Sequence, residues 1–297
     1  MKIVVAGGTG FIGEPLVESL AREHDVAVLS RNPAKVRAGR GVGWDPASKG
    51  AWQAEVAAAD AVVNLAGENI GAGRWTPARK KAILDSRIDA TSAITSAMRL
   101  DSRPGRTLVN ASAIGYYGSR GDETLTEKAH AGTGFLADVV KRWEAAAKEV
   151  DDVVRLVIPR FGIVLGDGGA LSKMMIPFRM FAGGPTGNGL QWMSWISRDD
   201  IIGLIQWAIE NPGISGVYNA VAPEPVRNRE FASTLGEVMK RPSFMPAPAP
   251  ALRLALGEMG QALLLDSQRV VPERTLHDGF EFRDSSLRPV LERTVRR

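Results

Sequence analysis

Residues 3–13 read Ile3-Val4-Val5-Ala6-Gly7-Gly8-Thr9-Gly10-Phe11-Ile12-Gly13, an apolar run that leads directly into a glycine turn. Glycines here let the backbone turn sharply and approach a pyrophosphate, and Gly13 lets the next helix pack close to its strand. A helix-like stretch, 14–22, and a second apolar run, 26–29, follow as a βαβ unit requires. We therefore predict a dinucleotide site with its phosphates at the helix N-terminus, the alternative being a tight turn without a ligand. The turn residues expected to contact the nucleotide are Gly7, Thr9, Gly10, Phe11, Ile12 and Gly13.

The end of the second strand indicates which nucleotide is bound. A free ribose diol is usually held by an acid about 20 residues beyond the glycines, whereas a 2′-phosphate needs cations and hydroxyls. The strand ends in Ser30-Arg31, while Asp25 precedes it and Asp45 lies beyond the next strand. The planar guanidinium of Arg31 can donate paired hydrogen bonds to a phosphate, and the Ser30 hydroxyl can donate another. The sequence therefore favours NADP(H) over NAD; the alternative is that Arg31 is a solvated surface residue.

The composition excludes several kinds of site. Cysteine is absent, which rules out disulfides, thiolate metal ligands and a cysteine nucleophile. His24, His130 and His277 have no second histidine at ligand spacing, so we expect no metal. A net charge of +4 without basic blocks gives little support for nucleic-acid binding. Because the apolar runs are far shorter than the ~20 residues that span a bilayer, we expect a cytoplasmic protein with no membrane partner.

Further apolar runs of strand length alternate with helical patterns. The runs at 61–67, 107–112 and 153–158 read as buried parallel strands, the last closed by Pro159, and a helix is predicted over 77–98. This alternation predicts an α/β fold with a doubly wound parallel sheet, a Rossmann fold, whose ligands lie beyond the carboxyl ends of the strands. Some residues at the strand ends are therefore expected to lie beside the cofactor: Leu65, Ala66, Gly67, Glu68 and Ala111. The alternative is that they serve only as core and turn residues.

The second half of the chain reads as a small C-terminal cap over the cofactor. Glycine-rich loops flank 174–181, an apolar segment suited to a mobile lid. Asp199 and Asp200 precede a helical stretch and are expected to be its N-caps. The predicted units are an NADP-binding Rossmann domain, 1–165 with 196–222, and a lid and substrate-side domain, 166–195 with 223–297.

Several motifs together resemble the extended short-chain dehydrogenases/reductases. They are the glycine turn, Asn64-Leu65-Ala66-Gly67, Ala111-Ser112-Ala113-Ile114-Gly115-Tyr116-Tyr117-Gly118 and Trp195-Ile196-Ser197-Arg198-Asp199-Asp200. More narrowly, the chain resembles the atypical "epimerase family protein" subgroup through Gly67-Glu68-Asn69-Ile70, Arg74-Trp75, Ser86-Arg87, Lys141-Arg142-Trp143-Glu144 and Val270-Val271-Pro272-Glu273-Arg274-Thr275-Leu276. The resemblance covers essentially the whole chain and implies the subgroup's own C-terminal domain.

The resemblance also implies roles for single side chains. Arg87 is expected to contact a phosphate or ribose of the cofactor, with a surface ion pair as the alternative. Independently of the resemblance, Glu68 lies just past a strand end and is expected to bind ribose hydroxyls, or else to act as a base. Arg160 is expected to support the active cleft through hydrogen bonds.

The proton-transfer residues of the reference family are incomplete in this chain. That family transfers hydride with a serine, a tyrosine and a lysine, and Ser112 matches the serine. In that family an acidic residue usually lies four residues past the lysine. If Glu144 is that acidic residue, Val140 occupies the position of the lysine and Leu136 the position of the tyrosine. Lys141 is one position away, which rotates it by about 100° on a helix. The remaining catalytic candidates are Ser112, Tyr116 and Tyr117.

Two classes of function remain open from the sequence. The first is an NADP(H)-dependent reductase- or epimerase-like enzyme that acts on an unidentified small molecule. The second is a non-catalytic NADP(H)-binding regulator or interaction protein, possible because the tyrosine–lysine pair is absent and because some relatives are associated with cell division. The retained Ser112 and the glycine-rich cap favour the enzyme. We expect a monomer or a homodimer.

Overall fold

The computed structural model describes residues 1–295 and has a mostly parallel sheet at its centre. The strands are β1 (Lys2–Ala6), β2 (Asp25–Ser30), β3 (Arg40–Gly43), β4 (Ala61–Asn64), β5 (Thr107–Asn110), β6 (Ser112–Ala113), β7 (Thr124–Leu125), β8 (Arg155–Phe161), β9 (Ile163–Leu165), β10 (Trp192–Met193), β11 (Trp195–Ser197), β12 (Gly216–Ala220), β13 (Val226–Arg227) and β14 (Arg269–Val270). The helices are α1 (Gly13–Leu20), α2 (Trp52–Ala57), α3 (Pro77–Met98), α4 (Phe135–Lys148), α5 (Gly169–Arg179), α6 (Arg198–Glu210), α7 (Asn228–Met239), α8 (Ala249–Leu256), α9 (Glu258–Gly260), α10 (Glu273–His277) and α11 (Leu287–Val295).

The central sheet confirms the predicted doubly wound topology. Its order is β12-β8-β5-β4-β1-β2-β3, with β6 also paired to β8, and its neighbouring strands run parallel. The order reverses at β1, because the chain builds outward first through β2 and β3 and then through β4 on the other side. The glycine turn leaves β1 at this switch point, where ligands bind in open α/β sheets.

Apolar clusters cover both faces of the sheet. One face packs against α1 and α6, through side chains such as Leu16 and Leu204. The other packs against α2, α3 and α4, through side chains such as Val56 and Ile94. Because both faces are buried, the strands are apolar along their whole length, which explains the continuous apolar runs of the sequence.

Pro159 does not close its strand, contrary to the prediction. It lies inside β8 and is paired with Tyr218 of β12. On its other side, β8 pairs with β5 up to Val157 and with β6 from Arg160 onward. Pro159 thus lies between the part of β8 that pairs with β5 and the part that pairs with β6. Because neither strand pairs with β8 at this position, the missing N–H of the proline costs no hydrogen bond between strands.

The segment predicted as a mobile lid contains the last turns of α5, and Met175 and Phe178 from it are buried in an apolar cluster with residues of α7 and α11. Its role as a lid stays a prediction. The prediction that Asp199 and Asp200 are the N-caps of α6 was wrong. The N-cap of α6 is Ser197, whose hydroxyl accepts from Asp200 N at 3.0 Å. Asp200 instead accepts from the backbone N–H groups of the 283–284 segment, an approach of chain segments that local patterns do not show. No helix within residues 1–295 is long and apolar enough to cross a membrane.

Candidate functional site: the glycine turn and the cleft beyond β5

The glycine turn is packed so closely that larger residues would not fit. Gly7 has a φ of 78°, and a Cβ atom on it would lie 2.8 Å from the Leu65 carbonyl. A Cβ atom on Gly13 would lie 2.2 Å from the Gly7 carbonyl oxygen. At Gly10 the nearest atom would be that same oxygen at 3.2 Å, so a side chain there would extend into open space. Gly7 and Gly13 therefore shape the turn, whereas Gly10 leaves room for a ligand.

The N-terminus of α1 has the properties of an anion site. Its N-cap residue, Ile12, supplies no side-chain hydrogen bond. Within residues 1–295, no backbone carbonyl accepts from the N–H groups of Phe11 or Ile12. Unpaired N–H groups and the positive end of the helix dipole both favour an anion here. The arrangement fits the pyrophosphate of a dinucleotide.

Ser30 and Arg31 lie at the carboxyl end of β2, next to β1. Ser30 Oγ accepts from Asn32 N at 3.1 Å, which holds the hydroxyl at the strand end. The Arg31 side chain is exposed, and it makes no ion pair with any residue of the described range 1–295. A guanidinium without a carboxylate partner at this strand end fits a 2′-phosphate. Its contact with a nucleotide stays a prediction.

The segment after β4 is held by main-chain and side-chain contacts. Leu65 N donates to Ala6 O at 2.9 Å, which joins this segment to the end of β1. Ala66 N donates to Asn64 Oδ1 at 3.1 Å. The Glu68 carboxylate pairs with Arg79 at 3.1 Å, so the carboxylate expected at the ribose has a cation partner in the chain. These residues lie at the strand end beside the glycine turn, and their predicted contact with the cofactor stays a prediction.

Arg87 points inward from α3 rather than forming a surface ion pair. Its Nη1 donates to the carbonyl oxygens of Glu68 at 3.1 Å and Ile83 at 2.9 Å, and its guanidinium lies 5.1 Å from the Trp143 ring centroid. Burial lowers the pKa of Arg87 to about 10. A Cβ atom on Gly67 would lie 3.2 Å from the guanidinium carbon. Arg87 therefore supports the backbone that follows β4, and its predicted contact with the cofactor remains a prediction.

A buried hydrogen-bonded network lies beyond the end of β5. Ser112 Oγ donates to Glu144 Oε1 at 2.6 Å, and Arg160 donates to both oxygens of that carboxylate at 2.7 and 2.8 Å. Arg160 Nη1 also donates to the Tyr117 hydroxyl at 2.9 Å, and this hydroxyl donates to Asn219 Oδ1 at 2.7 Å. All five side chains are buried. Burial disfavours the charge of Arg160, but its hydrogen bonds to Glu144 raise the pKa of Arg160 above the ordinary value.

The two adjacent tyrosines have different surroundings. Tyr117 is fully buried, and this burial raises the pKa of its phenol to about 12. Tyr116 is half-buried, and the Arg160 guanidinium lies on its ring, with Cζ 3.4 Å from the ring centroid. Of the three predicted catalytic side chains, Ser112 and Tyr117 are thus enclosed in the network, and Tyr116 is partly open to solvent.

The positions of the missing tyrosine–lysine pair carry apolar side chains, of which Val140 is buried and Leu136 half-buried. Leu136 and Val140 lie on the side of α4 that faces the 3-10 turn Ile114–Tyr117. A Cβ atom on Gly115 would lie 3.3 Å from Leu136 Cβ and 3.9 Å from Val140 Cγ2. Lys141 points to solvent instead and pairs with Asp138 at 2.7 Å. It therefore does not replace the lysine.

Two residues near the network were missed by the sequence interpretation. Asn219 at the end of β12 joins Tyr117 to the backbone, because its amide donates to Val271 O at 3.0 Å. The Glu127 carboxylate accepts from the N–H groups of Asn219 and Arg274 at 3.0 and 3.1 Å. These contacts anchor the C-terminal segment 270–276 against the sheet. They join residues far apart in the chain, and the only signal for them was the distinctive motif at 270–276.

Comparison with known proteins agrees with this geometry. Residues 3–220 match the NAD dependent epimerase/dehydratase family, and residues 247–294 match a domain of unknown function, DUF1731. The chain is 43% identical to the chloroplastic epimerase family protein SDR39U1 homolog of Arabidopsis thaliana over 95% of its length and 83% of the plant protein. It is 38% identical to the epimerase family protein YfhF of Bacillus subtilis, over 99% of its length and 98% of that protein.

Solved structures show the same relationship. The crystal structure of human epimerase family protein SDR39U1 with NADPH superposes with a TM-score of 0.89 at 35% identity, covering 100% of this chain and 99% of the human one. A nucleoside-diphosphate sugar epimerase from Corynebacterium glutamicum superposes with a TM-score of 0.78 at 30% identity, covering 99% of this chain and 57% of that one. The chain therefore belongs to the NAD dependent epimerase/dehydratase family, within its epimerase family proteins of the SDR39U1 type.

Proposed function

We propose that this protein binds NADPH and uses it to reduce a small carbonyl-containing molecule. The observation that carries the cofactor assignment is the exposed Arg31 at the end of β2, which makes no ion pair within residues 1–295, beside the N-terminus of α1, where Ile12 supplies no side-chain cap. The pyrophosphate would lie on the N–H groups of Phe11 and Ile12, and the 2′-phosphate on Arg31 and Ser30. The human relative, whose structure contains NADPH, supports the same choice of nucleotide.

The cofactor assignment can be tested by comparing two nucleotides on one variant. Arg31→Ala should weaken NADPH by about 1.5 to 3 kcal/mol, the range for hydrogen bonds to charged groups, and leave NADH nearly unchanged. Lys35→Ala is a matched control, because Lys35 is an exposed cation in the same loop. Both affinities are measured by fluorescence titration. Equal losses of NADPH and NADH in Arg31→Ala would contradict a contact with the 2′-phosphate.

The chemistry requires a proton carrier near the reacting atoms, and we assign this role to Tyr116. NADPH, when bound, supplies hydride to a carbonyl carbon. The Tyr116 hydroxyl then donates the proton that the carbonyl oxygen takes up, and the Arg160 guanidinium fixes the ring from one face. Ser112 and Tyr117 act through the buried network, which holds Arg160 and so positions Tyr116.

The two neighbouring tyrosines supply a paired experiment. Tyr116→Phe should lower kcat/KM by about 10²- to 10⁴-fold, the usual contribution of a general acid, without changing the Kd for NADPH. Tyr117→Phe removes two buried hydrogen bonds and should cost stability, about 1 to 3 kcal/mol, but it should lower turnover far less than Tyr116→Phe, because it acts on Tyr116 only through Arg160. NADPH oxidation is followed over a panel of small carbonyl compounds. Full turnover in Tyr116→Phe would contradict the assignment.

A second candidate function is a non-catalytic NADPH-binding regulator. The observation that favours it is the apolar packing of Leu136 and Val140 against Gly115, which places side chains that cannot transfer a proton at the usual tyrosine and lysine positions. In this case the protein would bind NADPH tightly and oxidise it with no compound of the panel. The Arg31→Ala titration would give the same result under both functions, so the turnover measurement separates them.

A further inference from the structure

Two segments of the C-terminal half have an unusual combination of charge and exposed apolar surface. The segments 169–198 and 238–257 contain no aspartate or glutamate, but together they carry six lysines and arginines. Ten large apolar side chains are exposed within residues 1–295, and seven of them belong to these two segments. Such a concentration of exposed apolar surface is typical of an interaction site.

The two segments lie side by side in the structure. Met245 N donates to Gly183 O at 3.0 Å, and Ala247 N donates to Pro185 O at 2.9 Å. The Arg241 guanidinium lies 4.6 Å from the ring centroid of Phe181. We call the surface formed at this junction the basic apolar face; it comprises Ile176, Met180, Phe181, Phe244 and Met245, with Arg179, Lys240 and Arg241 around them.

The apolar side chains of this face project into solvent. Phe244 is 78% exposed, Met180 is 72% exposed and Phe181 is 58% exposed. Side chains with such exposure stand above the surface and do not line a groove. Projecting apolar side chains can insert into the apolar boundary of a lipid bilayer. A partner helix would instead need a groove that holds its apolar side.

The backbone at this face is also strained. Within the described chain, Phe181 and Lys240 are the two residues other than glycine that have a positive φ, at 60° and 53°. Phe181 follows the end of α5 at a position where glycine is usual, because a Cβ atom is disfavoured in this conformation. The exposed Phe181 ring contacts the Arg241 guanidinium, but it belongs to none of the apolar clusters of residues 1–295. Its presence points to a function for the ring itself.

The cations around the face are available to an outside partner. Arg179, Lys240 and Arg241 make no ion pair with any carboxylate in residues 1–295, although 19 ion pairs are formed elsewhere in that range. A second copy of this chain would bring the same three cations against them, which opposes self-association through this face. The charge favours an anionic partner.

We propose that the basic apolar face docks on an anionic membrane surface. Phe181, Phe244 and Met180 would enter the headgroup boundary, and the surrounding cations would contact lipid phosphates. This differs from our sequence-based expectation of no membrane partner, which rested only on the length of the apolar runs. The proposal is independent of catalysis, since none of these residues belongs to the cofactor site or the buried network.

The test is sedimentation of the full chain with vesicles of phosphatidylcholine, with and without phosphatidylglycerol. We expect binding only to vesicles that contain the anionic lipid, and release at high salt. Phe181→Gly should bind more weakly and should melt at the same or a higher temperature, because glycine relieves the strain at this position. This variant therefore separates loss of docking from loss of folding. Arg179→Gln and Arg241→Gln should each weaken binding by about fivefold.

A matched control is Leu100→Ser, which removes a 67% exposed leucine outside the face and should leave vesicle binding unchanged. Failure of the wild-type protein to bind anionic vesicles at low salt would overturn the proposal. Dimerisation that is lost in Phe181→Gly would assign the face to a second copy. Binding to soluble polyglutamate but not to vesicles would assign it to an acidic protein partner, and either result would also overturn the proposal.

Discussion

The contribution of the buried ion pair can be measured by comparing two carboxylates on one helix. Glu144 and Asp138 both lie on α4 and both pair with a cation. The side chains of Glu144 and its partner Arg160 are each 4% exposed, whereas those of Asp138 and Lys141 are 65% and 45% exposed. The same change from carboxylate to amide at each position therefore compares a buried pair with a solvated one.

Glu144→Gln should lower the free energy of unfolding by about 3 to 5 kcal/mol, because it leaves the Arg160 guanidinium buried without a counter-charge. It also removes an oxygen that accepts from Ser112 or Arg160. Asp138→Asn should cost less than about 1 kcal/mol, as exposed pairs do. For a chain of this size, the buried change corresponds to a fall in Tm of roughly 6 to 20 °C.

The assay is equilibrium urea unfolding of both variants at pH 7, followed by tryptophan fluorescence and by circular dichroism. Coincident transitions at an unchanged slope would show that the difference lies in stability alone. The double variant Glu144→Leu/Arg160→Met should recover part of the loss, since it removes both charges together. If Glu144→Gln were no less stable than Asp138→Asn, the network would not have the structural role assigned to it.

Two further predictions concern the glycine turn and the effect of acid. Gly13→Ala should lower both NADPH affinity and Tm, because its Cβ would lie 2.2 Å from a backbone oxygen. Gly43→Ala is the control and should change neither, because a Cβ there would have no atom of residues 1–295 within 4 Å. Equal behaviour of the two variants would contradict the packing argument. Hydrogen bonds from Arg40 and then Lys2 lower the pKa of Glu55 from 4.5 to about 2. A lowered carboxyl pKa adds stability above pH 4.5 that is lost as the pH falls through 2. Thermal melts of the wild type and Glu55→Gln should therefore differ at pH 7 and converge near pH 2, and a constant difference would refute this role.

The central sheet could be predicted because its local patterns agree with its tertiary environment. Strands buried on both faces read as apolar runs, and the glycine turn identified the switch point at which the sheet order reverses. The helix predicted over 77–98 has these same bounds, since Thr76 caps it and Pro77 occupies its first turn. Local sequence signals are sufficient for these elements because each can be recognised from its own residues, even where its neighbour in the sheet is distant in sequence, as Ala61 is from Ile3.

The remaining parts of the site depend on contacts between distant segments. The motifs placed Ser112 and Tyr117 as catalytic candidates and Arg160 as a supporting residue of the cleft, but they could not show that Asn219 would join them or that the network would be buried. Asp200 resembled an N-cap because its position before a helix is typical of one, whereas its actual partners lie more than 80 residues away. Pro159 resembled a strand end because the interruption between β5 and β6 has no signal in the sequence of β8.

The packing of Gly115 on Leu136 and Val140 has a consequence for any attempt to engineer this cleft. A tyrosine at position 136 and a lysine at position 140 would be larger side chains on the side of α4 that faces the Ile114–Tyr117 turn, and the lysine would be placed in apolar surroundings. The turn itself is held by the buried Tyr117. Installing a working tyrosine–lysine pair would therefore require changes in the turn as well as on the helix, and the double substitution alone should not confer the chemistry of the reference family.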